Sequence, residues 1–168
     1  MKTHHTILIV LATALLWLAS CQEQPKTTSD KIDALKQQVE TDAMSLQNLE
    51  NKDFAQLQSD FHYCDSMLQY LSEEKVDDCF EKLNLTQAYL LQFKDIKPQM
   101  VSKMDYVIVQ LDRLKADLAS QYLNDSLALT YLNDERLVAD TLHQQLLYFQ
   151  DRFRKSQNEL NALRKSWK

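Results

Sequence analysis

The sequence predicts an all-α protein: an elongated antiparallel bundle of four or five long helices with coiled-coil-like packing. Three observations carry that expectation. The 168 residues contain no glycine and only two prolines, where average usage would put about 12 glycines in this length. Without glycine, hairpin turns that need positive φ, phosphate loops and Gly-rich nucleotide motifs are all disfavoured. Leu, Gln, Lys, Asp and Glu dominate the composition, as in helical bundles. Finally, apolar residues recur at steps of three and four almost throughout, the spacing of one face of an α-helix.

The elements follow from that spacing. A first helix is expected from Lys31 to Glu50, with Ser29 or Asp30 as its cap and Ile32, Leu35, Val39, Leu46 and Leu49 as its stripe, Ala43 filling the gap. A second runs from Asp53 to Leu71, where Phe54, Leu57, Phe61, Cys64, Leu68 and Leu71 form a strict seam. The phase slips between Leu49 and Phe54, so ENKD is either a turn or a stutter in one long helix, and the lack of a breaker favours continuity. Ser72 can cap a third helix with Val76, Phe80, Leu83, Leu90 and Phe93 inward. Pro98 suits the first position of a fourth, which carries Met100, Met104, Val107, Leu111, Leu114 and Leu118 to about Tyr122. The stretch YLNDSLALTYLNDE holds YLND twice and reads as a connection with one helical turn inside. The last helix carries Val138, Leu142, Leu146, Phe149, Phe153, Leu160, Leu163 and Trp167, and at about 1.5 Å per residue it reaches roughly 50 Å.

The N-terminus is different in kind. Lys2 is followed by an apolar run from Ile7 to Ala19, the length of a signal-peptide core and short for a membrane span. Leu18, Ala19, Ser20 and Cys21 close it, and this stretch resembles the lipobox of bacterial lipoproteins. The resemblance implies that residues 1–20 are a signal peptide, that Cys21 receives a diacylglyceryl group, and that cleavage makes it the first mature residue. Two or three acyl chains, at about 0.8 kcal/mol per buried CH₂, hold a protein on a membrane almost permanently. Residues 21–30 then form a polar tether and residues 31–168 the bundle domain. Gln22 is not an aspartate, so by family analogy the expected location is the outer membrane, facing the periplasm.

As a whole the chain resembles small helical lipoproteins of Bacteroidota. That resemblance implies O-glycosylation at Asp-(Ser/Thr)-apolar triplets, of which there are three, making Ser66, Ser126 and Thr141 the candidate acceptors. In an oxidising periplasm Cys64 and Cys79 are an even pair and so candidates for a disulfide. They flank the expected turn near Ser72, but helix axes stand 8–10 Å apart, which leaves two buried thiols as the alternative.

No catalytic residues are expected, nor a metal site or a cofactor. In the mature chain His62 and His143 are isolated, no HExxH occurs, and the acidic group Glu73, Glu74, Asp77, Asp78 and Glu81 suits a helix start. The net charge of −5 argues against nucleic acid as a partner. The basic stretch from Arg152 to Lys168 could dock an acidic partner or satisfy its own helix end. The functional expectation is a lipid-anchored, non-enzymatic module that contacts the membrane through Cys21 and binds an envelope protein or itself. Tyr63, Tyr70, Tyr89, Tyr106 and Trp167 are available as anchors. The alternative is a ligand-binding or enzymatic lipoprotein whose site carries no recognisable motif.

Overall fold

The computed structural model describes residues 27–167, the side chains of Glu74, Lys75 and Asp78 excepted. The expected signal peptide, Cys21 and most of the expected tether lie outside the described residues. Those residues form three helical rods, where the sequence suggests four or five helices. The first rod is α1 (Thr28–Asn48), a π-helical turn (Leu49–Phe54), α2 (Ala55–Met67) and a closing 3₁₀ turn (Leu68–Tyr70). The second is α3 (Glu73–Ala119), and the third is α4 (Asp125–Ser166). At 1.5 Å per residue α3 and α4 are about 70 and 60 Å long.

Cross-helix contacts set the directions. Asp33 pairs with Lys115, Lys36 with Asp112 and Glu50 with Lys97, so numbering rises along α1 as it falls along α3. Asp42 meets His143, Phe54 meets Phe153 and Asp60 meets Arg164, so the first rod and α4 rise together. The bundle runs up, down, up.

The phase slip at ENKD is one extra residue, and the π turn absorbs it. Buried residues of α1 follow alternating steps of four and three from Thr28 through Ile32, Leu35, Val39, Asp42 and Leu46 to Leu49. The same alternation resumes at Phe54 but one residue late. A π turn takes about one more residue than an α turn. It therefore brings Phe54 back to the face that Leu49 occupies. There Phe54 joins a knot drawn from all three rods: its ring lies 5.4 Å from Phe93, which lies 5.2 Å from Phe149 and 5.0 Å from Phe153.

Pro98 does not start a helix; it sits inside α3. Its missing N–H and its ring normally break a helix. Pro98 is on the exposed side, where water can reach the carbonyl it deprives. On the core side Phe93, Met100 and Met104 continue one buried stripe across it.

The second YLND is also helical. The connection between α3 and α4 is only Ser120–Asn124, and Asn124 caps α4 by accepting a hydrogen bond from the Leu127 N–H at 2.9 Å. The end of α3 is closed by Tyr122 N–H to Asp117 C=O (3.0 Å) and Gln121 N–H to Leu118 C=O (3.2 Å). This pair of bonds needs a left-handed residue, a place usually held by glycine. Here Gln121 takes it at φ 62°. Gln121→Gly is expected to raise stability by about 0.5–1 kcal/mol, read in urea unfolding, because a Cβ is disfavoured in that conformation.

Caps and faces shift accordingly. Thr27, not Ser29 or Asp30, caps α1: its Oγ1 accepts from the Asp30 N–H, and the Asp30 carboxylate accepts from the Thr27 N–H. The helix thus starts before residue 31. Ser72 stands at the cap position of α3 without a side-chain capping bond. Phe80 is 55% exposed and Val138 40%, not core. Their neighbours Cys79 and Ala139 hold the core positions, because the strict alternation of four and three along each stripe falls on them.

Candidate functional site

Polar residues lie in or beside the buried stripe at several places; Thr86 bonds back to the Lys82 carbonyl of its own helix, and three charged ones are matched across a helix interface. Asp60, 5% exposed, is the most elaborate case. Its carboxylate accepts from Gln56 Nε2 at 3.1 Å, from Gln157 Nε2, and from Arg164 NH1 at 2.7 Å. Arg164 also lies 4.8 Å over the Tyr63 ring. Asp42 takes a core position of α1, and His143 Nδ1 stands 3.0 Å from both its oxygens. Lys97 takes one in α3 and meets Glu50, carried by the π turn, at 2.5 Å. A buried charge is costly unless it is paired and hydrogen-bonded, and such pairs fix register more than they add stability. These three clusters tie α1–α2 to α3 and α4 at separate heights. Their polar groups are spent on each other.

Glu135 is different, as is Trp167, whose Nε1 is also buried without a partner. Glu135 sits in the α4 stripe between Leu132 and Ala139, and its Oε2 is buried with no hydrogen-bond partner. Burial raises its pKa, and the neighbouring Asp134 adds to the rise. Glu135→Leu is expected to stabilise the protein by about 1 kcal/mol at neutral pH. Because the carboxyl pKa is raised, the native state holds the proton more tightly than the unfolded chain. Wild type therefore gains stability as pH falls through the raised value, and the advantage of the leucine shrinks. Urea titrations at pH 7 and at about pH 4 read both effects.

Cys64 and Cys79 are both buried and both present as thiols. They sit on the two rods that flank the turn at Leu71–Ser72, near enough that Cys79 is among the groups that raise the Cys64 thiol. Burial pushes the Cys64 thiol up to about 11, while nearby Arg164 pulls it down. A raised thiol pKa stabilises the fold below the unfolded value of 9.0 and is lost as pH rises towards 11. Wild type is expected to lose about 2 kcal/mol more than Cys64→Ala over that window, measured by chemical unfolding at stepped pH.

The remaining candidates are spread over the surface. Ser66, Ser126 and Thr141 are all exposed and all helical, Ser126 in the first turn of α4 and not in a loop. Ser66 Oγ donates to the Tyr63 carbonyl and Thr141 Oγ1 to the Leu137 carbonyl. His62 is exposed, its ring packed edge-on to Phe61. Of the acidic group, Glu73, Asp77 and Glu81 are exposed. Among the described residues no group of three or more His, Cys, Asp or Glu is placed to hold a metal ion. Nor is any helix long and apolar enough to cross a membrane.

Much of the basic stretch of α4 is engaged within the fold. Arg152 lies over Tyr89 and Tyr148, Arg154 pairs with Asp151, and Arg164 with Asp60. Of the expected aromatic anchors, Tyr63, Tyr70 and Tyr106 are exposed, whereas Tyr89 and Trp167 pack partly against the core. Concave features are open grooves. One of about 440 Å³ runs between α3 and α4 along Gln92, Ile96, Gln145 and Tyr148. Another of about 350 Å³ runs between α1 and α3 beside Met44, Glu50, Lys97 and Val101.

No family model, curated protein or solved structure matches the chain.

Proposed function

We propose that the chain is a lipid-anchored cell-envelope protein. Cys21 carries the acyl chains, and the bundle acts by binding an envelope protein or its own copies, not by catalysis. The observation that supports this most is how the polar groups are used. Asp42, Asp60 and Lys97 are each satisfied by a partner across a helix interface, which leaves the outer faces to act. Those faces display large apolar side chains, among them Leu91 and Val109 on α3 and Leu137 and Leu147 on α4. Coiled-coil-like packing and outer-membrane residence facing the periplasm belong to the same reading. The alternative, a ligand-binding or enzymatic lipoprotein, would use the α3–α4 groove at Gln92 and Tyr148.

The test is affinity purification from detergent-solubilised native membranes, with the full lipoprotein tagged after Lys168 and Cys21→Ala as control. Recovery of a stoichiometric partner, or of a defined homo-oligomer, only from the anchored form supports the reading. Recovery of the monomer alone from both forms overturns it.

A further inference from the structure

We infer that the α3–α4 tip, centred on Tyr122, rests in the lipid–water interface of the leaflet that holds the anchor. The inference relies on the acylation of Cys21 proposed above, and it begins from the length of chain between that residue and the fold. Residues 22–27 separate Cys21 from the first helical residue, Thr28. Six residues at about 3.5 Å each reach roughly 20 Å at full extension. The start of α1 is therefore held within that distance of the bilayer surface, while the bundle is about 60 Å long.

The registers say what else lies at that end. The Asp33–Lys115 pair places Thr28 level with Ser120 of α3. The Asp42–His143 pair places it level with Leu129 of α4. Residues 121–128 therefore overhang the first turn of α1, on the side from which the chain leads back to Cys21. The left-handed Gln121 and the hydrogen bonds that close α3 fix the direction of this overhang.

Its chemistry suits an interface. Tyr122 is 85% exposed, more than any other large apolar or aromatic residue described. Leu127, in the same overhang, is 40% exposed. In water such a tip carries an apolar cost. A tyrosine ring with one apolar body and one polar end is favoured at the headgroup level. Asp117 and Asp125 flank the tip and are exposed, so the surface it fits is zwitterionic lipid, not a strongly anionic one. The consequence is a rod held at one end by two contacts, acyl chain and tip, instead of one pivoting on a tether.

Fluorescence tests this. The lipidated Tyr122→Trp protein, in a Trp167→Phe background, is reconstituted into phosphatidylcholine vesicles containing brominated acyl chains. The lipidated wild type reports Trp167, at the far end of the rod, as control. Flotation with the vesicles is measured on the same samples. The expected result is flotation of both proteins, loss of Tyr122→Trp emission to the brominated lipid with protection from acrylamide, and no lipid quenching of Trp167. Flotation with Tyr122→Trp emission open to acrylamide and untouched by bromolipid overturns the tip contact and leaves the anchor standing. Failure to float overturns the anchor, and the tip contact with it.

Discussion

Phe93→Ala is expected to cost about 3–5 kcal/mol. For a chain of this size that lowers Tm by roughly 10–15 °C. Phe93 is 1% exposed and its ring touches those of Phe54, Phe149 and Phe153. Removing it opens a cavity where all three rods meet, and no single rod can collapse to fill it. Phe80→Ala supplies the contrast on the same helix. Phe80 is 55% exposed, so its truncation should move stability by less than about 0.5 kcal/mol. Thermal unfolding of the two variants side by side reads the helical frame directly. Equal losses would mean that α3 is rotated from the orientation described.

Deleting Lys52 is expected to be tolerated, with Tm within about 5 °C of wild type. Single-residue deletions in a packed helix ordinarily turn everything beyond them off the core face. Lys52 lies in the π turn that accommodates one residue too many. Without it the steps of four and three run unbroken from Leu49 into α2, and an ordinary α turn suffices. Deleting Ser102, an equally exposed residue of α3 with no π turn to relax, should remove about 5 kcal/mol or more. Circular dichroism melts of both deletions decide it. A Lys52 deletion as damaging as the Ser102 one would show that the π turn is not the response to an extra residue.

The contrast between these variants shows what was legible in the residues. The helical class and nearly all the large core residues could be read from spacing, because Leu, Phe and Met mark a buried face unambiguously. The phase slip was visible too, and continuity was the right expectation. What misled was chemistry at individual letters. Phe80 and Val138 look like core residues, yet the positions belong to Cys79 and Ala139. A small residue signals burial weakly and a large apolar one strongly, whichever the frame selects.

Asp42, Thr86 and Ser156 fill gaps in the stripe, and strict continuation of the alternating steps would have found them. Asp60 would not have been found that way, since it lies beside the seam and is buried by Gln157 and Arg164 reaching from α4. Local propensity marks Pro98 and both YLND copies as boundaries, and the first YLND is indeed where the chain turns. At Pro98 and the second YLND the buried stripe decides otherwise: Phe93 to Met100 in α3, and Ala128, Leu132 and Ala139 in α4. The tip is not legible in the sequence, because nothing in the letters around Tyr122 tells that residue from the other tyrosines. Only the register of three rods places it beside the start of α1.

The proposed function turns on Cys21, and the intact mass of the protein purified from native membranes tests it most directly. The account predicts a polypeptide that begins at Cys21 and carries acyl chains on that residue. A mass that includes residues 1–20, or a chain that starts elsewhere with no lipid on Cys21, would contradict it.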